Sequence, residues 1–296
     1  MAGQRRVHAS RRPRVEVWRD AHVVVTGGSS GIGRAFVRQV GARGARVSVL
    51  ALPDADLEST RAELEAGHTA YQVVPVDVTD DAAVAAAVAH ATRLLGPCEV
   101  LLTSAGIAHP GYFERLDGEV FRRTMEVDYF GTLHAIRAVV PAMLERRRGS
   151  VVGISSTAGL IGVFGYTAYS PPKFAVRGLL EVLRVELRPA GIHVGCVCPP
   201  DTDTPQLAYE NRFKPAETFA ISGAIKPHAP DEVAASIVEG MERGRFLITP
   251  DWQTQVVAHT AGLLRGPWFG YFDWRVRAAR RVMPQGRPTQ GTRPAR

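Results

Sequence analysis

Thr26-Gly27-Gly28-Ser29-Ser30-Gly31-Ile32-Gly33 is the stretch from which the fold of this chain is read. It follows an apolar run at 21–26 with the look of a buried strand, and it precedes a helical pattern at 31–43. Glycines at such a junction let the backbone turn tightly and present N–H groups and a helix N-terminus to a phosphate. Gly31 and Gly33 would let a pyrophosphate and the neighbouring strand approach closely. The spacing is Gly-x-x-x-Gly-x-Gly, not the Gly-x-Gly-x-x-Gly of the common dinucleotide fingerprint. A nucleoside-triphosphate loop is disfavoured: Gly28 and Gly33 have its separation, but Arg34-Ala35 stands where Lys and Ser or Thr are required. A dinucleotide turn and a ligand-free tight turn remain, and the surrounding pattern favours the first.

Outward from this turn, short apolar runs alternate with helical patterns. Strands are expected at 21–26, 45–51, 70–76, 98–103, 149–155, 192–198 and 246–249. Helices are expected at 31–43, 54–66, 80–95, 118–146, 170–188 and 230–243, with a loop-rich stretch at 199–229. Such alternation implies an α/β, doubly wound, parallel seven-stranded sheet of Rossmann type with helices on both faces. The strands are continuous apolar runs, as a sheet buried on both sides requires. The expected organisation is a basic N-terminal tail at 1–20, a catalytic domain at 21–250, an aromatic and basic extension at 251–283 and a disordered tail at 284–296.

The formal net charge is +7, and its location matters more than its size. Residues 1–20 carry six Arg against Glu16 and Asp20, and residues 265–296 carry eight against Asp273. The ends hold more than the whole excess, so the body between them is mildly acidic. A basic nucleic-acid face on the main domain is therefore not expected, whereas basic ends suit an anionic surface such as a membrane. Three cysteines, Cys98, Cys196 and Cys198, are too few for a disulfide framework and fit a reducing compartment. No secretory signal is visible near the N-terminus. A cytoplasmic location is expected, at the cytoplasmic face of a membrane if the extension binds one. The His residues are scattered, so no metal site is expected.

Ser155-Ser156 ends the fifth strand, and Tyr169 and Lys173 lie four apart at the start of the next helix. An ammonium beside a phenol stabilises the phenolate, so Lys173 is expected to lower the Tyr169 pKa and fit it for general acid–base work. Ser156 could hydrogen-bond the same substrate oxygen. Pro171 and Pro172 fit only a first helical turn, so Ser170 is expected as the cap, with Tyr169 just outside. On the long helix, Phe121, Met125, Asp128, Thr132, Ile136, Val139 and Met143 form one stripe. A carboxylate there needs a partner or a proton. Asp128 either meets Lys173, directly or through water, with its own pKa lowered by the pairing, or marks an unrelated ion pair or a helix bend. Asp77-Val78 follows the third strand, where the carboxylate serves either an adenine amino group or the next helix N-terminus. Leu50-Ala51-Leu52 ends the second strand without an acid for a ribose 2′-hydroxyl, which favours NADPH/NADP. Ser30 and Arg34 are the nearest candidates to receive the 2′-phosphate.

Together, Thr26-Gly27-x-x-x-Gly31-x-Gly33, Ser156 and Tyr169-x-x-x-Lys173 resemble the short-chain dehydrogenases/reductases over about residues 20–250. Thr103-Ser104-Ala105-Gly106 is similar to that family's Asn-Asn-Ala-Gly with both Asn replaced, and Pro199-Pro200 with Thr204 to its Pro-Gly…Thr. Asp128 stands where the family's active-site Asn usually sits. The resemblance implies that Ser156 orients a carbonyl, that Tyr169 transfers the proton and that Lys173 lowers the Tyr pKa and holds the nicotinamide ribose. It also implies that Gly27, Ser29, Ser30, Gly31, Ile32, Gly33, Asp77, Val78, Ser104, Ala105, Gly106, Pro199 and Thr204 line the cofactor. A homo-oligomer, built on the helices at 118–146 and 170–188, is a further implication.

A narrower resemblance is to the 3-ketodihydrosphingosine reductases. It rests on Cys198 to Pro205, Glu210-Asn211-Arg212, Lys214-Pro215, Glu217-Thr218, Ile221-Ser222, Gly162 to Tyr169, Lys173 to Gly178 and Phe272-Asp273. This branch implies NADPH-dependent reduction of the ketone of a sphingoid base, a lipid-like substrate. Trp252, Trp268, Phe269, Tyr271, Phe272 and Trp274, followed by Arg275, Arg277, Arg280 and Arg281, have the composition of an interfacial segment, so peripheral membrane contact through 252–281 is expected. Two other readings stay open: reduction of another apolar carbonyl, steroid or fatty acyl, and a weakly catalytic dinucleotide sensor or scaffold.

Overall fold

The computed structural model describes residues 18–222 and 226–282; residues 1–17 and 283–296, with most of the expected N-terminal tail and all of the C-terminal one, lie outside the described residues. Seven strands form one parallel sheet: β1 His22–Thr26, β2 Arg46–Ala51, β3 Tyr71–Pro75, β4 Val100–Thr103, β5 Gly149–Ile154, β6 Ile192–Val197 and β7 Leu247–Ile248. Their order is β3-β2-β1-β4-β5-β6-β7. The chain reverses its direction of travel across the sheet between β1 and β4. Two crossovers depart to opposite sides there and leave a crevice beyond the strands' carboxyl ends.

Helices α1 Gly31–Gly41, α2 Ala55–Ala66 and α9 Pro230–Glu242 cover one face, and α3 Asp81–Leu95, α5 Gly131–Arg146 and α6 Ser170–Leu187 the other. Successive strand residues point to opposite faces, so Val23 and Val25 join Phe36 and Ile237 in one core while Val24 joins Val139 and Leu180 in the second. Both faces need apolar side chains, which explains the unbroken runs read from the sequence. Asp54 and Asp80 cap α2 and α3, accepting from Leu57 N and Ala83 N at 2.9 Å each. Cys196 and Cys198 share a face, with Sγ atoms 3.9 Å apart.

Four expectations change. Trp18, assigned to the basic tail, is a core residue: it packs edge-on against Phe36 and donates to Glu242 Oε1 at 2.9 Å. The stretch expected as one helix over 118–146 is α4 Gly118–Met125, a π turn at Glu126–Phe130, then α5. The loop-rich stretch contains two short helices, α7 Pro205–Glu210 and α8 Ala216–Ser222. Finally, α6 begins one residue early, with Tyr169 as its cap and Ser170 as its first residue. After β7 come α10 Trp252–Thr260 and α11 Arg265–Val282, which packs on α8. Among the described residues no helix is long and apolar enough to cross a membrane.

Candidate active site

A cavity of about 840 Å³ occupies the crevice at the carboxyl ends of β1, β4 and β5. One end is walled by Gly27, Ser29, Ser30, Gly31 and Ile32 of the glycine turn. Gly27 has φ +65° and Gly31 φ +52°, a conformation open to glycine at little cost. A Cβ on Gly27 would stand 2.5 Å from Ala105 N, and one on Gly33 would overlap the Gly27 carbonyl oxygen. Ser104 N donates to Thr26 O at 3.0 Å, which ties the 104–106 loop beside the turn. Ser30 caps α1 without spending its hydroxyl on the cap, and the first turn carries no acid. The N-terminus of α1 thus faces the cavity with its N–H groups and positive dipole end free for an anion. These residues fit the pyrophosphate of a dinucleotide.

Asp77, Val78, Ser104, Ala105 and Gly106 continue the wall, and Pro199 and Thr204 close it from the β6 side. The Thr204 methyl lies 3.0 Å from a Cβ position on Gly31, and its hydroxyl caps α7, accepting from Leu207 N at 3.2 Å. Pro199 O accepts from both the N and Oγ1 of Thr157 at 3.0 Å, which fixes the turn that follows Ser156. Asp77 is largely committed: Oδ1 accepts from the backbone and hydroxyl of Thr79 at 2.9 Å, and Oδ2 pairs with Arg123 at 3.3 Å. Arg34 does not reach the cavity wall. Its guanidinium donates to Glu63 and Ser59 at 2.9 Å, because α2 presents an acid and a hydroxyl across from it.

The floor holds Ser156, Tyr169 and Lys173 together. Ser156 Oγ accepts from Ala158 N at 3.1 Å and caps a 3-10 turn at Thr157–Gly159. Tyr169 sits at the cap of α6 with helical φ −97° and ψ −41°, and Lys173 N donates to its carbonyl at 3.4 Å. The four-residue spacing therefore keeps helical geometry across the two prolines. The Lys173 ammonium lies 5.3 Å from the Tyr169 ring centroid. Ser155, buried behind Ser156, donates its hydroxyl to Lys173 O at 2.8 Å and so latches the first turn of α6 to β5. Gly159 crosses this latch where a Cβ would overlap Ser155 Oγ.

Asp128 meets Lys173. Its Oδ2 is 3.2 Å from Nζ and its Oδ1 accepts from Ile107 N at 2.8 Å, with the carboxylate fully buried behind Gly106. The π turn carries Asp128 in the middle of its five residues, and such single wide turns are frequent at functional sites. Two electrostatic expectations are corrected. Burial raises the Asp128 pKa despite the lysine, because losing water costs the carboxylate more than the pair returns. The Tyr169 phenol is held well above its ordinary value by burial, then by the Glu210 and Asp128 carboxylates, while the Ser156 hydroxyl pulls the other way. The resting phenol therefore carries its proton at neutral pH, which is the state that donates to a carbonyl oxygen.

A second polar group of this wall comes mostly from residues that the sequence marked as part of the narrower resemblance without giving them a role. Tyr166 donates to Glu210 Oε2 at 2.5 Å, Gln206 donates to Glu210 Oε1 at 2.9 Å, and Lys214 donates to Asp201 Oδ2 at 2.9 Å. The helical start Thr204-Pro205 was the available signal, since a threonine cap followed by proline opens a helix.

A family model described as short chain dehydrogenase matches residues 21–214. The chain belongs to that family. The 3-dehydrosphinganine reductase of Danio rerio is 42% identical over 231 residues, 76% of this chain and 70% of that protein. The 3-ketodihydrosphingosine reductase of Dictyostelium discoideum is 40% identical over 270 residues, 85% of this chain and 81% of that one. A solved short chain dehydrogenase/reductase of Burkholderia phymatum, in complex with NAD, superposes with TM-score 0.74 at 24% identity, covering 83% of this chain and 94% of that one, and confirms the fold. The short-chain dehydrogenase assignment makes the protein an oxidoreductase with a nicotinamide dinucleotide, for which the glycine turn and the N-terminus of α1 have the right shape and sign.

Proposed function

We propose that this protein reduces the ketone of 3-ketodihydrosphingosine to the alcohol, with NADPH as the reductant. One observation carries the reading. The Ser156, Tyr169 and Lys173 floor opens into an apolar cavity that runs out between Trp252, Val256, Trp268, Tyr271 and Phe272 of α10 and α11. A ketone on a long alkyl chain fits that shape: the carbonyl reaches the floor and the chain lies along the aromatic wall, where each buried methylene contributes about 0.8 kcal/mol. Relatives that share 42% and 40% identity carry that substrate in their names.

The dinucleotide, when bound, supplies the hydride. Ser156 donates a hydrogen bond to the carbonyl oxygen and fixes its direction. Tyr169 gives that oxygen its phenolic proton as the C–O double bond becomes single, a contribution of about 10²–10⁴-fold for a placed general acid. Lys173 is held by Asp128 and the Ile154 carbonyl, 3.4 Å away, and stands under the Tyr169 ring to steady the phenolate that forms.

The preference for NADPH rests on the end of β2. Ala51 and Leu52, which end β2 on the cavity wall, are uncharged, so no carboxylate stands at the strand end to bind a ribose 2′-hydroxyl or repel a 2′-phosphate there; Asp54, further along the wall, caps α2 through Oδ1. The Ser30 hydroxyl is open to receive it. Ala51→Asp should turn the preference toward NADH, read as the ratio of kcat/KM for the two cofactors.

Membrane contact is assigned to α10, α11 and the turn between them, where Trp252 at the cavity mouth, Leu263 in the turn and Trp274 on α11 are 71%, 88% and 59% exposed. Arg277 and Arg281 lie on exposed positions of α11. Arg275 and Arg280 are tied to α8, donating to Ala220 O at 2.6 Å and Glu217 Oε1 at 2.9 Å, although Arg280 stays largely exposed. The site would be at the cytoplasmic face of a membrane. Exposed Phe130, Leu144, Phe174, Val182 and Val185 around α5 and α6 support self-association through those helices.

The deciding experiment is NADPH oxidation with 3-ketodihydrosphingosine, a steroid ketone and no substrate. Oxidation with the first alone is expected. Faster turnover of the steroid, or none with either, overturns the assignment.

A further inference from the structure

Two buried glutamates, Glu210 on the cavity wall and Glu217 on α8 behind it, are treated differently by their surroundings. Glu217 has a cation: Arg280 donates to its Oε1 at 2.9 Å and Tyr112 to its Oε2 at 2.9 Å. Glu210, 6% exposed at the end of α7, has only neutral donors, Tyr166 and Gln206. The nearby Lys214 is spent on Asp201 at 2.9 Å. Among the described residues no cation forms an ion pair with Glu210. A carboxylate buried with hydrogen bonds but without counter-charge is costly, and a ligand cation would offset that cost.

Position adds to charge. Glu210 and Tyr166 both line the cavity, and the Tyr166 ring lies 5.5 Å from that of Tyr169. The Glu210 charge is felt at the Tyr169 phenol, where it opposes ionisation. Glu210 is 6% exposed, so a charged pair formed there is screened by little water and is stronger than one at the surface. The Lys214–Asp201 pair beside it already balances its own charges, and burial raises the Glu210 pKa, so a ligand cation seated there would hold its carboxylate ionised.

We propose that Glu210, presented by Tyr166 and Gln206, is the subsite for a primary ammonium carried close to the reacting carbonyl, so that the enzyme selects amino ketones over plain ketones. This rests on the sphingoid reading above, since that substrate bears an amine on the carbon next to its ketone. It goes beyond that reading by naming the side chain that reads the amine.

The test uses the full chain loaded with NADP. Binding of dihydrosphingosine and of its N-acetyl derivative, which has no positive charge, is measured by calorimetry on the parent and on Glu210→Gln, which keeps an acceptor for Tyr166. The parent should prefer the free amine by about 30-fold or more, as expected for a desolvated charge pair. The preference should fall to within about threefold in Glu210→Gln. Should that variant not fold, Glu210→Asp withdraws the carboxylate by one methylene and should reduce the preference to an intermediate ratio. A parent without preference, or a variant that keeps it, overturns the subsite.

Turnover of the long-chain amino ketone and its N-acetyl form is followed in parallel. Glu210-dependent amine binding without ketone reduction keeps the subsite and removes the sphingoid assignment. Equal reduction of both forms keeps the assignment and removes the subsite.

Discussion

On the cavity floor, side chains are fixed from several directions at once. Lys173 is held through its ammonium by Asp128 and through its carbonyl by Ser155, and the glycine turn is pressed against the 104–106 loop. At the rim, Trp252 and Trp274 stand largely in solvent and Phe269 and Tyr271 partly so, and α11 is anchored to the body chiefly through α8. The floor places a proton donor within a fraction of an ångström, which needs rigid support. The rim has only to offer apolar surface, which tolerates looseness. Damage to the floor should therefore abolish chemistry, and damage to the rim should slow delivery.

The sharpest way to break this contrast is Tyr169→Phe. Turnover should fall by about 10²–10⁴-fold while NADPH binding, followed by fluorescence, stays near the parent value; near-normal turnover would place the proton elsewhere. Gly33→Ala should come next. Its methyl meets the Gly27 carbonyl oxygen, a backbone atom that cannot step aside, so cofactor affinity and melting temperature should drop together. Unchanged affinity would mean that the turn does not hold the pyrophosphate.

A smaller loss is expected at Asp128. Asp128→Ala leaves a buried ammonium without its partner, a change that typically costs about 3–5 kcal/mol of stability, and should take most activity with it. Asp128→Asn keeps an acceptor for Ile107 N and should retain much more. Turnover of both variants from pH 6 to 10 checks this, and parent-like rates in Asp128→Ala would reduce the residue to a structural role.

The rim is tested by Leu263→Ser with Trp274→Ser, two exposed positions outside the cavity wall. Liposome binding should weaken about tenfold, at roughly 1.5 kcal/mol or more for a lost apolar anchor, with detergent-solubilised turnover unchanged. An unchanged liposome pull-down would make α11 a mere cover.

The smallest effect separates the two regions by acid. Burial lowers the imidazole pKa of His22 and of His193, in β1 and β6, below 6.5. The folded sheet then resists protons that the unfolded chain accepts. Stability is full above pH 6.5 and declines as pH falls below it. The melting temperature should drop by a few degrees toward pH 5, and His22→Gln should flatten that slope.

Much of the floor was legible because its signals are local. Strand–turn–helix punctuation pointed to the sheet, the glycine spacing marked the tight turn that walls one end of the cavity, and a carboxylate on an apolar stripe demanded the partner it has in Lys173. What stayed hidden depends on residues distant in sequence. The acidity of Tyr169 is set partly by Glu210 on α7, and Arg34 is diverted by Glu63 on α2. Helices α7 and α8 are shorter than the window in which a helical period becomes visible. Trp18 looked like part of a charged tail because nothing local announces Phe36 and Glu242 as its neighbours.

The π turn at Glu126–Phe130 means that the aim of Asp128 is set by chain length as well as by chemistry. A π turn holds one residue more than the α-helix around it. Removing a single residue from the turn would restore ordinary winding and rotate everything on one side of it by about 100° relative to the other. Either the carboxylate would swing away from Lys173 or α4 would turn against the body. The active site is thus one codon from losing its alignment with every one of its chemical groups still present.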